Sequence, residues 1–196
     1  MMRAATSHPI LAALVLLAVP FWAACDRTPP ADEAAADSAA APAAPAENPD
    51  LAALRTKFQP MQDFAQAAPM GYSEAITPCW FHKDNGGQGV HYARLPFDSA
   101  VVMMDPEAVM YEPQQGGGQQ LVGIEYIVPF DQWKSTTPPT VLGEQLHRNE
   151  ALKLWVLHAW LFRDNPSGMF ADWNPNVSCA NAAQSEDRST VTAPAP

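Results

Sequence analysis

Residues 152–162 read Leu-Lys-Leu-Trp-Val-Leu-His-Ala-Trp-Leu-Phe. Taken alternately, one set is Leu154, Val156, His158, Trp160 and Phe162, and the other is Trp155, Leu157, Ala159 and Leu161. Both sets are apolar except for His158. A strand of this composition belongs in the middle of a sheet that is covered on both faces. A buried helix is the competing reading, and the short length and the aromatic content favour the strand.

Upstream lies the clearest hairpin, from Glu107 to Val128. Ala108 to Glu112 runs up to Pro113, Gln114 to Gln120 holds three consecutive glycines and forms the loop, and Leu-Val-Gly-Ile-Glu-Tyr-Ile-Val runs back. Gly89 to Arg94 is also strand-like. Phe130 to Thr140 contains Pro138-Pro139 and reads as a long surface loop, and Val141 to Glu150 reads as a short helix or an irregular connector. Further back, Leu51, Leu54, Phe58, Met61 and Phe64 recur at intervals of three and four, one apolar helical stripe that starts at Asn48-Pro49 and is interrupted by Pro60. A helix followed by antiparallel strands predicts the α+β class: an N-terminal helix packed with a small antiparallel β-sheet, closed by one disulfide.

The rest of the chain divides by composition. Residues 1–24 have Arg3 as their one charged side chain and an apolar run from Ile10 to Trp22, too short for a membrane span of about 20 apolar residues. The run ends in Trp22-Ala23-Ala24-Cys25. This resembles the bacterial lipoprotein signal, which implies lipidation of Cys25 and removal of what precedes it; Trp22 stands where that signal usually has an aliphatic residue. Ordinary secretion, with cleavage after Ala23 or Ala24, is the alternative. Residues 25–50 form an Ala-, Pro- and acid-rich stretch with no aromatic or large aliphatic residue before Leu51, and it reads as a disordered tether spanning about 25–30 Å root-mean-square. Residues 51–179 hold the single domain, and the polar residues 180–196 read as a disordered tail.

Charge sets limits on partners. With 11 Lys plus Arg against 21 Asp plus Glu, the net charge is −10. That excludes a nucleic-acid-binding surface, which needs basic patches. The expected surroundings are the cell envelope on its periplasmic side, reached through a lipid anchor, with inner or outer membrane left open. In that oxidising compartment Cys79 and Cys179 are a pair expected to close across about 100 residues of chain. Two free thiols, or a thiol in a metal site, are the alternatives.

Three segments, "GVHY", "PEAVMYEP…LVGIEY" and "WVLHAWLFRDNPSGMFADWNPNVSC", together resemble a group of secreted bacterial proteins of uncharacterised function. The resemblance covers residues 71–179 and implies an exported single domain with two cysteines. It brings no activity, substrate or catalytic residue.

Polar residues in apolar runs are the remaining signal. His158 lies within the most hydrophobic strand, Glu125 within Val-Gly-Ile-Glu-Tyr-Ile-Val, and His91 within Gly-Val-His-Tyr-Ala. A buried imidazole or carboxylate must find a partner or stay neutral. One reading is structural, with Glu125 accepting a hydrogen bond from His158 or one of them facing water. The other is a metal site in which His91, Glu125 and His158 ligate a divalent transition metal. There is no His-Glu-x-x-His, Cys-x-x-Cys, nucleophile elbow, phosphate loop or dinucleotide fingerprint. The first functional expectation is therefore an envelope-anchored, non-enzymatic binding or accessory domain that needs no cofactor, with a protein or saccharide as its partner. Trp133 and Trp173, in loops, are the candidate stacking residues. The alternative is a metal-binding protein or a metal-dependent periplasmic enzyme.

Overall fold

A computed structural model describes residues 48–190. The signal segment, Cys25 and the tether as far as residue 47 lie outside the described residues. Asn48 caps α1 (Pro49–Phe58), the one α-helix among the described residues: its side chain accepts a hydrogen bond from Asp50 N at 2.9 Å, and Pro49 fits the first turn, where a missing N–H costs nothing. At Pro60 the α-helix gives way to a 3₁₀ turn, Gln59–Gln62. Among the described residues no helix is long and apolar enough to cross a membrane.

The strands are β1 (Glu74–Ala75), β2 (Cys79–His82), β3 (Gly86–Ala93), β4 (Ala108–Pro113), β5 (Gln119–Pro129), β6 (Thr140–Val141), β7 (Glu144–Gln145), β8 (His147–Asn149), β9 (Leu154–Ala159) and β10 (Ser185–Asp187). Eight of them form one curled sheet in the order β10-β2-β3-β4-β5-β9-β8, with β1 paired to β3; β6 and β7 form a separate small ribbon.

The expected α+β class is thereby corrected. The fold is mostly β, and the sheet is large and mixed, because β10 runs parallel to β2. The cause is strand length. β1, β2, β8 and β10 have two to four residues each, too few for an alternation to stand out from the sequence. Residues 141–150, read as helix or connector, are likewise divided among β6, β7 and β8. The segment after Cys179, read as a tail, supplies β10, which is exposed and polar. Backbone bonds hold it, Cys79 N to Gln184 O at 3.1 Å and Arg188 N to Phe81 O at 2.8 Å.

Alternation along the long strands sorts the sheet into two faces. Val109, Tyr111, Ile124, Tyr126, Val128, Trp155, Leu157 and Ala159 share one core with Leu51, Leu54, Phe58 and Met61 of the helical segment. Each such buried side chain contributes about 1.5–3 kcal/mol. The opposite face carries His91, Ala93, Ala108, Met110, Glu125, Ile127, Val156 and His158. Gly123 also lies on this side. A Cβ there would sit 2.6 Å from the Ala159 carbonyl oxygen and 2.6 Å from the end of Met110, so the position accepts only glycine without a shift of the β5–β9 ladder.

Cys79 and Cys179 are joined, with their Cα atoms 5.7 Å apart and 100 residues between them. The bridge fixes the chain beside β2 just before β10 pairs with it. Cys79→Ala should lower stability by about 2–5 kcal/mol, the usual loss for a native bridge. Urea unfolding of the oxidised chain and its variant measures this, and an unchanged midpoint would remove the bridge from the list of what holds the fold.

Candidate metal centre

Register decides which polar residues meet. Ala93, Ala108, Glu125 and His158 face one another across β3, β4, β5 and β9 in a single row, and His91 lies two residues from Ala93 on the same face of β3. Ala108 stands between the two histidine-bearing sides. His91 itself is opposite Met110, so its ring and the Glu125 carboxylate come together diagonally across β4.

His91 is 1% exposed, His158 3% and Glu125 6%. His91 Nε2 lies 3.5 Å from Glu125 Oε2, and His158 Nε2 lies 3.4 Å from Glu125 Oε1. Each imidazole thus faces a different oxygen of one carboxylate. Neither Nε2 makes a hydrogen bond. Among the described residues, these three side chains form a group whose metal-ligating atoms lie within 4.8 Å of one another. Of the two readings above, the structural pair is present as an imidazole–carboxylate contact at 3.4 Å, without a hydrogen bond from Nε2.

The far side of the His91 ring is hydrogen-bonded, and that of His158 faces a carboxylate without a hydrogen bond. His91 Nδ1 is 3.0 Å from Thr77 Oγ1, which also accepts the His91 backbone N–H. With Nδ1–H donating to that hydroxyl, Nε2 carries a lone pair. His158 Nδ1 is 3.5 Å from Asp172 Oδ1, and the same oxygen is 2.7 Å from His147 Nε2. Thr77, Asp172 and His147 were not legible as site residues, since they sit in or beside turn-rich segments where Thr and Asp are ordinary.

Burial governs the charges. It pushes His91 down to about 3, helped by the neighbouring His158, so this imidazole is neutral near pH 7. Burial raises Glu125 above the usual carboxylate range, against the opposing pull of His158 and His147. Burial would lower His158 too, but the carboxylates of Glu125 and Asp172 outweigh it and its pKa is raised. Burial likewise opposes ionisation of Asp172, yet the His147 and His158 rings hold it well below the usual range.

A cavity of about 80 Å³ opens beside the three residues and is shared by Trp80, Trp173, Asp172 and Arg188. Other polar residues of the sheet and its turns are used elsewhere. Glu112 binds Arg163 and the Ser178 N–H, Glu107 accepts the Ile127 N–H at 2.8 Å, and His82 accepts the Asp84 N–H at 3.2 Å. Trp133 and Trp173 are both half-buried, and the Trp133 indole donates to Thr137 O. Comparison with protein-family models, curated proteins and solved structures gives no match.

With metal removed by chelator, His158→Ala and Glu125→Gln should each cost about 1–3 kcal/mol, because each leaves a buried group facing an unsuited neighbour. The double variant should cost less than the sum by about 0.5–3 kcal/mol. Denaturant unfolding of the four proteins tests the coupling; strict additivity would show that the two side chains do not interact.

Proposed function

We propose that this chain is a metal-binding protein of the bacterial cell envelope, held there by a lipid on Cys25, in which His91, Glu125 and His158 ligate one divalent transition metal ion. The observation that carries the reading is the pair of buried, unbonded Nε2 atoms turned toward the two oxygens of one buried carboxylate. A buried polar atom left unpaired costs about 1–3 kcal/mol, and here two such atoms are aimed at the same spot. An ion satisfies both at once.

Spacing supports it. A tetrahedral ion with bonds of about 2.0–2.2 Å puts its ligand atoms about 3.3–3.6 Å apart; each imidazole stands 3.5 or 3.4 Å from its own oxygen of Glu125, and one ligand atom from each of the three side chains lies within 4.8 Å of the others. The outer contacts support it too. Ligating histidines commonly have the second ring nitrogen held by a carboxylate, hydroxyl or carbonyl, which fixes the tautomer; Thr77 and Asp172 stand in those positions. Two histidines and one carboxylate with open positions are a set used for non-haem iron, and three protein ligands with an open fourth position suit zinc. The adjoining cavity gives the open positions somewhere to point.

The chain, purified without chelator, should carry about one equivalent of a transition metal by elemental analysis. Chelator should lower its melting temperature, and added metal should restore it. His91→Ala and His158→Ala should abolish binding, whereas His82→Ala should retain it, since His82 packs on Trp173 but does not line the cavity. A metal-free protein whose melting temperature ignores added zinc, iron and cobalt would overturn the reading. Anchoring is tested separately: Cys25→Ser should shift the protein from the membrane fraction to the soluble fraction, and an unchanged distribution would rule out a lipid at that residue.

A further inference from the structure

We infer that the open positions of this centre take a small carboxylate anion, bound to the metal through oxygen with its short carbon skeleton against the cavity wall. The inference rests on the metal-site reading above and adds the ligand class.

Charge comes first. Glu125, Asp172, Arg148 and Arg188 all line the cavity, two acids and two guanidinium groups. The guanidinium groups are each paired already, Arg148 with Glu150 and Arg188 with Glu186, both at 2.6 Å. With the histidines neutral, Glu125 and Asp172 leave a formal −2, which a divalent ion between His91, Glu125 and His158 neutralises. The ligand is then selected by the ion's open positions and by the donors beside them, and an anionic oxygen suits both. Arg188 is placed to take part. Its side chain is only 15% exposed, its guanidinium lies 4.5 Å from the Trp80 ring, and one of its nitrogens is tied to Glu186 at 2.6 Å. The planar group has five donors, so others remain for a carboxylate.

The wall then selects the body of the ligand. Ile127, Leu154 and Val156 present aliphatic surface, and Trp80 and Trp173 present rings. The Trp80 indole N–H already donates to Glu186 Oε2 at 3.0 Å, which leaves the ring to act as an apolar surface. Gln88, a further polar residue in the lining, donates its amide to Asp172 O at 2.9 Å. An enclosure of about 80 Å³ holds about five to eight water-sized groups at 10–15 Å³ each. That is the size of a carboxylate of three to six carbons. A hydrated inorganic anion would leave the aliphatic wall facing water.

The test uses the full chain loaded with cobalt(II), whose visible bands report the coordination sphere. Butyrate is titrated against butyramide, its neutral counterpart, and against azide. Butyrate should shift the bands to saturation, butyramide should leave them unchanged, and azide should bind more weakly than butyrate. Arg188→Gln should keep the cobalt stoichiometry and weaken butyrate roughly tenfold, as expected for the loss of one charge-assisted hydrogen bond. Cobalt bands that ignore butyrate, or that respond to azide more strongly than to butyrate, would overturn the carboxylate inference and leave the metal centre standing. If cobalt produces no bands in the wild-type chain, the metal centre itself fails and the inference goes with it.

Discussion

Two imidazoles and a carboxylate sit almost completely dry on one face of the sheet, and the cost of burying them shapes what surrounds them. A charged carboxylate taken from water without compensation is among the most expensive things a fold can bury. The compensation here is spread over several layers. Glu125 faces both rings, Thr77 ties one of them from behind, and Asp172 with His147 approaches the other. The opposite face shows the simpler solution, an apolar core under the helix that needs no such layering. One sheet therefore separates two tasks: one side supplies the cohesion, and the other can hold groups that water would otherwise claim.

Much of this was written in single strands and little of it between them. His158, Glu125 and His91 each stand out as a lone polar residue in an apolar β run, and each is buried. What no strand could reveal is that they converge. That follows from the register through β4, which sets Ala108 opposite Glu125 and Met110 opposite His91. The hairpin through the glycine triplet and the central position of residues 154–159 were also legible, because both depend on local alternation and turn chemistry. The class was misread for the opposite reason. Ser185–Asp187 has nothing strand-like in composition, and it is held by backbone hydrogen bonds next to a bridge rather than by its side chains.

The methionines and tryptophans show how burial redistributes meaning. Of the six methionines in residues 51–179, Met61, Met70, Met103 and Met104 pack into the core under the helix, on the face away from the histidines, and Met110 lies on the histidine face opposite His91. Trp155 and Trp160 are core residues, Trp160 donating its indole N–H to Ala171 O at 2.7 Å. Trp80 and Trp173 are the rings that line the cavity, and Trp173 is one of the two loop tryptophans that the sequence offers for stacking.

The wall that Trp80 and Arg188 make has a further meaning for how the molecule comes together. Trp80 is steadied by Glu186, 106 residues away in the chain, whereas β4 and β5 are joined by a short turn and β9 meets β5 after some thirty residues. Pairings between near neighbours in sequence form ahead of distant ones, since shorter loops cost less entropy to close. Arg188 is also the last residue of the cavity lining to be synthesised. The three inward-facing side chains can thus be in register while the β2 edge still waits for its final strand. The last strand to pair at that edge is therefore the one that sets Arg188 over the Trp80 ring and completes the cavity wall.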